Sequence, residues 1–161
     1  MMLTADFIPL AVVAPVILAA ALTDLRMMRI PNTLVLLALG VFVVTLPFLF
    51  HDTHEMLWRL LAGFATFAVC FVLFALRVFG GGDAKLFPVI MLFVPTALWS
   101  EFLMTFSLSM GITMALFLPV RRMVPADMTG WKSLTPDGRF PMGIAFATAV
   151  VGFLLIFTGF S

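Results

Sequence analysis

A chain of 161 residues that is 63% hydrophobic and 11% charged, with a mean hydropathy of +1.21, is too apolar for a soluble globular domain and has no room for one beside its apolar segments. Those segments run on for about twenty residues, rich in Leu, Ala, Phe and Met, instead of alternating over about ten, which excludes a β-barrel and leaves an all-α integral membrane protein. The net charge of +1 identifies no partner, and no nucleic-acid footprint is visible.

The first apolar segment, 7–22, ends in Ala19-Ala20-Ala21, which resembles a signal-peptide cleavage site. No Lys or Arg precedes Phe7, and Asp6 does, so the segment is read as a helix. After Asp24 the chain reaches Pro31, which bars continuation of that helix, and Asn32, which is suited to cap the next one; a tight hairpin is expected. The second segment is 33–50, followed by the polar turn His51-Asp52-Thr53-His54-Glu55. Its histidines and acids imitate a metal cluster, but an exposed turn of this composition reads as solvated, and no metal is expected. The third segment, 56–79, carries the single cysteine, Cys70, read as a small buried hydrophobe that can form neither a disulfide nor a thiolate cluster within one chain.

Gly80-Gly81-Gly82 then lets backbone or ligand approach closely just before Asp83, which is expected in the first turn of the fourth helix. That segment, 86–98, is short and carries Pro88 and Pro95, so a kink is expected, and its boundary with the fifth, 102–120, rests on Ser100-Glu101. Six helices are expected, with five as the alternative if these two merge. An irregular connection from Arg121 to Phe140, with Pro125, Gly130, Trp131, Pro136 and Gly138, reads as a lid before the last segment, 141–160.

Alternate connections differ in charge. Arg26, Arg29, Arg77, Lys85, Arg121, Arg122, Lys132 and Arg139 fall in the connections after helices one, three and five, and Asp6, Asp52, Glu55 and Glu101 on the other side. Arg59, one turn inside helix three, is expected to snorkel outward. Basic connections stay in the cytoplasm, so both termini are expected to be non-cytoplasmic.

This topology sets Asp24 and Asp83 on one membrane face, each at the edge of an apolar segment where an ionisable group is costly enough to demand a function. The other acids, Asp127 and Asp137 included, read as solvated loop charges. Two carboxylates suffice for metal-free peptide hydrolysis: one deprotonates water, and the other, protonated, polarises the carbonyl and later protonates the amine. Close together they cannot both ionise and would titrate as a pair. From helix ends alone, Asp83 at an N-terminus is expected to be the ionised member and Asp24 the protonated one. A proton or ion carrier, or a scaffold in which the aspartates only pair with arginines, are the alternatives. The carrier is disfavoured because the helix centres hold no acid.

Asp24-Leu25-Arg26 with Arg29-Ile30-Pro31-Asn32, then Gly80-Gly81-Gly82-Asp83-Ala84-Lys85-Leu86, and finally Phe140-Pro141-Met142-Gly143-Ile144-Ala145, resemble the signature segments of the type IV prepilin peptidases, intramembrane aspartic proteases of the GxGD kind. Met142 stands where an aromatic is commoner in that family. The resemblance implies a multi-pass bacterial inner-membrane endopeptidase that removes the basic leader from prepilins or pseudopilins at the cytoplasmic face. It implies Asp24 and Asp83 as catalytic, with Gly80, Gly82, Lys85, Pro31 and Asn32 supporting the site. The full-length family carries a cytoplasmic insertion with two CxxC pairs and a methyltransferase activity. Without that insertion the chain is similar to the short peptidases of Flp-type, tight-adherence pili, so residues 1–161 are expected to be one transmembrane peptidase domain with no cofactor, S-adenosylmethionine included. Its partners are then the substrate, with leader and apolar helix, and the lipid bilayer. The surplus of basic side chains in the 121–140 connection would repel a basic leader, so leader recognition falls to lipid or to the aspartates.

Overall fold

The computed structural model describes residues 2–49, 53–124, 130–135 and 140–158, which form six α-helices and two short 3-10 turns with no strand among them. The helices are α1 (Met2–Met27), α2 (Asn32–Leu49), α3 (Thr53–Ala75), α4 (Asp83–Phe93), α5 (Trp99–Met123) and α6 (Met142–Thr158). Three stretches, Phe7–Met27, Thr53–Ala75 and Thr96–Met123, are long and apolar enough to cross a membrane, and Asn32–Pro47 and Met142–Thr158 are shorter apolar helices. The surface is correspondingly greasy: Leu36, Val44, Phe64 and Met104 are 65%, 70%, 72% and 73% exposed, a pattern that only a bilayer solvates.

At the centre is α4, which is apolar all round after its first turn and is therefore buried all round. It forms a hairpin with α3 and touches α2, α1 and α6; α1 packs on α2 and α6, and α6 on α5. Stacked rings of Phe87, Phe106 and Phe146, with centroids 4.8 to 5.3 Å apart, tie α4, α5 and α6 together. The Phe-rich composition is thus packing surface as well as lipid surface. Cys70 is buried in the same core.

Several boundaries differ from expectation for identifiable reasons. The fourth helix starts at Asp83 and stops at Phe93, because Pro95 forces Val94 into an extended conformation (φ −80°, ψ 126°); Pro88 stays inside the helix. The break before α5 therefore lies at 94–98 and not at Ser100-Glu101, and α4 and α5 do not merge. Asn32 is the first residue of α2, not its cap, and its side-chain oxygen accepts instead from Lys85 Nζ at 3.1 Å.

Arg59 does not snorkel. It is 1% exposed, donates from Nε to Glu55 Oε1 at 2.9 Å and from its guanidinium to the Phe93 carbonyl at 3.3 Å. Glu55 also accepts from the Thr96 N–H at 3.0 Å and from the Thr96 hydroxyl, so it is not a free solvated charge. The end of α4 explains both: its last carbonyls lack helical partners, and a buried guanidinium supplies one. His54, in the same first turn, accepts from Trp58 Nε1 at 2.9 Å, while His51 and Asp52 lie outside the described residues.

Of the 121–140 connection, 125–129 and 136–139, with Pro125, Asp127, Pro136, Asp137, Gly138 and Arg139, lie outside the described residues. The 3-10 turn Lys132–Leu134 packs against α1 with Ser133 and Leu134 buried, and the Arg121 guanidinium holds it by donating to the Thr135 carbonyl at 2.6 Å.

Candidate active site

At the end of the bundle opposite Arg59, α1 continues five residues past its expected boundary, which puts Asp24 inside its last turn. The helix stops because Met28 takes a left-handed conformation (φ 56°) and its N–H bonds back to the Asp24 carbonyl at 2.8 Å, a C-terminal capping turn. Ile30 and Pro31 then fold across the glycine run: a Cβ on Gly82 would lie 2.8 Å from Ile30 Cβ, so only glycine allows the hairpin to seat there. Gly80 and Gly82 carbonyls accept from Ala84 and Leu86 N–H groups at 3.0 Å each, opening α4 at Asp83 as its first residue.

The two carboxylates line the same cavities. Asp24 and Asp83, 7% and 9% exposed, line one cavity of about 550 Å³ together with Arg29, Pro31, Asn32 and the three glycines. They also line a neighbouring cavity of about 430 Å³ walled by Met28, Arg77, Phe140 and Met142. Asp24 Oδ2 accepts from the Gly143 N–H at 2.9 Å. That donor belongs to the first turn of α6, so Asp24 faces a helix N-terminus of its own, and the contrast expected from helix ends alone does not separate the two groups. One oxygen of Asp83, Oδ1, is buried with no hydrogen-bond partner among the described residues. A buried carboxylate oxygen left free beside a second carboxylate is positioned to take or give a proton.

Of the residues singled out from sequence, Asp24, Asp83, Gly80, Gly82, Pro31 and Asn32 line this one cavity. Lys85 does not; it turns to Asn32 and away from Asp83, as two residues apart on one helix should. Among the described residues no group of three or more His, Cys, Asp and Glu could hold a metal. Sequence reasoning gave no specific role to Gly143, whose backbone holds Asp24, or to Met28 and Arg77, both in left-handed conformations on the cavity wall. A Cβ on Gly143 would come within 2.9 Å of Asp24 Cβ and 3.0 Å of Ala21 Cα, so the Pro141-Met142-Gly143 segment was the signal, read only as resemblance.

No curated protein and no solved structure matches the chain. Residues 11–119, about two thirds of the 161, match the model of the type IV leader peptidase family, and this stretch contains both aspartates, the hairpin and the glycine run. The chain belongs to the type IV leader peptidase family.

Proposed function

We propose that this protein is an aspartic-type intramembrane endopeptidase in which Asp24 and Asp83 cleave the leader from a prepilin. The observation that carries the reading is the cavity that both buried aspartates line, with one Asp24 oxygen fixed by the Gly143 N–H and one Asp83 oxygen without a hydrogen-bond partner among the described residues. The pair shares one proton: the ionised carboxylate activates water, the protonated one polarises the scissile carbonyl, and the roles exchange when the amine leaves. Metal and cofactor have no step in this scheme, and methyl transfer is not part of it.

Arg26, Arg29, Arg77, Arg121, Arg122 and Lys132 gather toward the aspartate end, which favours the cytoplasmic face of the inner membrane. The absence of any CxxC pair supports a substrate of the Flp-type class of prepilins and pseudopilins. Co-expression with such a prepilin, followed by mass measurement of its N-terminus, tests the reading. Asp24→Asn and Asp83→Asn, each inserted at normal levels, leave the leader attached. Leader removal by either variant at the unmodified rate would refute the aspartic mechanism.

A further inference from the structure

The bundle has a gap in its wall. Although consecutive in sequence, α2 and α3 share little or no contact; both lean on α4 and leave an open groove of about 550 Å³ between them. Leu36, Leu60, Phe64 and Phe67 form its sides and Pro88 and Leu92 its floor, and Leu36 and Phe64 are 65% and 72% exposed. Lys85 is the single charged residue lining it, at the aspartate end, where its ammonium donates to Asn32 Oδ1 at 3.1 Å. Asn32 lines both this groove and the aspartate cavity, so the two adjoin.

We propose that this groove receives the apolar helix of the substrate and leads its first turn to Asp83, an inference that rests on the leader-peptidase reading above. The floor is α4, 11 residues or about 16 Å long, which matches about three turns of a docked helix. The helix lies along α4 with the leader pointing to the aspartates, because the end of the groove at Asn32 and Lys85 adjoins their cavity. A helical peptide bond is shielded from attack, and Lys85 addresses this: a cation beside the N-terminal end of the docked helix opposes its macrodipole and favours an extended peptide where the chain crosses from groove to cavity. An acyl chain would fill the same volume, but it brings no peptide bond to the aspartates that the groove adjoins.

Photocrosslinking decides between them. A benzophenone maleimide is attached to Leu36→Cys or Phe64→Cys, in a chain that also carries Cys70→Ser and Asp24→Asn to hold the prepilin uncut. Leu155→Cys, on the exposed face of α6 against α1, is the control. The groove predicts adducts from positions 36 and 64 to the first three turns of the prepilin's apolar segment, and none from 155. Adducts to lipid alone at 36 and 64, or prepilin adducts only at 155, overturn it. As a second measurement, Leu36→Trp raises KM for the prepilin by about tenfold with a much smaller change in kcat, and an unchanged KM overturns the groove. Failure of the unmodified chain to remove any leader is the separate result that would remove the parent reading and the groove with it.

Discussion

At the scale of single residues the site depends on backbone that approaches very closely. Asp24 and Asp83 were legible in sequence because a carboxylate at the edge of an apolar segment is costly and so needs a reason to persist. Gly143 was not legible in the same way, since its contribution is an N–H delivered from 119 residues away, and an amide carries no sequence signature of its own. Asn32 shows the converse. Its residue type predicts a cap, yet the ammonium of Lys85, 53 positions away, takes its side-chain oxygen. Gly143→Ala tests the close approach: the added methyl meets the Ala21 backbone and Asp24 Cβ, so α6 must shift and carry its N–H off the carboxylate. Leader cleavage by this variant falls roughly 10²-fold, as measured on purified enzyme, because displacements of about 1 Å at a reacting centre have that effect. A rate equal to the unmodified enzyme would show that the Gly143 hydrogen bond does not position Asp24.

At the scale of elements, the order and type of the helices were legible from unbroken apolar runs, and the ends were not. Pro95, not the charged Ser100-Glu101 pair, ends α4, because the restriction a proline places on its predecessor outweighs a local gain in polarity. Arg59 was misplaced for a related reason. Reading it as a snorkelling side chain assumes that water is the best partner within reach, whereas the fold offers Glu55 one turn away and the orphan carbonyl of Phe93. The cluster pins the far end of α4 and so fixes the depth at which Asp83 stands at the near end. Arg59→Met removes the cation from Glu55, which keeps its two Thr96 donors, and the donor from that carbonyl, and destabilises the protein by about 3 kcal/mol, the low side for one partner of a buried pair because Glu55 is 28% exposed. Denaturant unfolding in detergent micelles reads this directly, and a loss below about 1 kcal/mol would mean the pair is replaceable by packing.

For the whole molecule, six helices bring four distant stretches of chain to one end: the 24–32 hairpin, the glycine run, the start of α6 and the 130–135 turn. Composition and basic-residue placement anticipate this gathering; nothing in them shows which helices touch, because that is set by shape complementarity among Phe and Gly positions. The sidedness makes a further prediction. In a Cys70→Ser background, Lys132→Cys reacts with an impermeant maleimide only when the cytoplasmic face is accessible, and Thr53→Cys only from the opposite face. Labelling of both from one side would contradict the orientation. The central claim is that the two aspartates work as one chemical unit, and a double-mutant cycle on leader cleavage by the purified enzyme tests it most directly. Asp24→Asn, Asp83→Asn and the double variant should each fall to the same floor, on the order of 10³-fold or more below the unmodified enzyme. If the two single losses multiply in the double variant, or if one of them stays within about tenfold of the parent rate, the aspartates do not act as a pair.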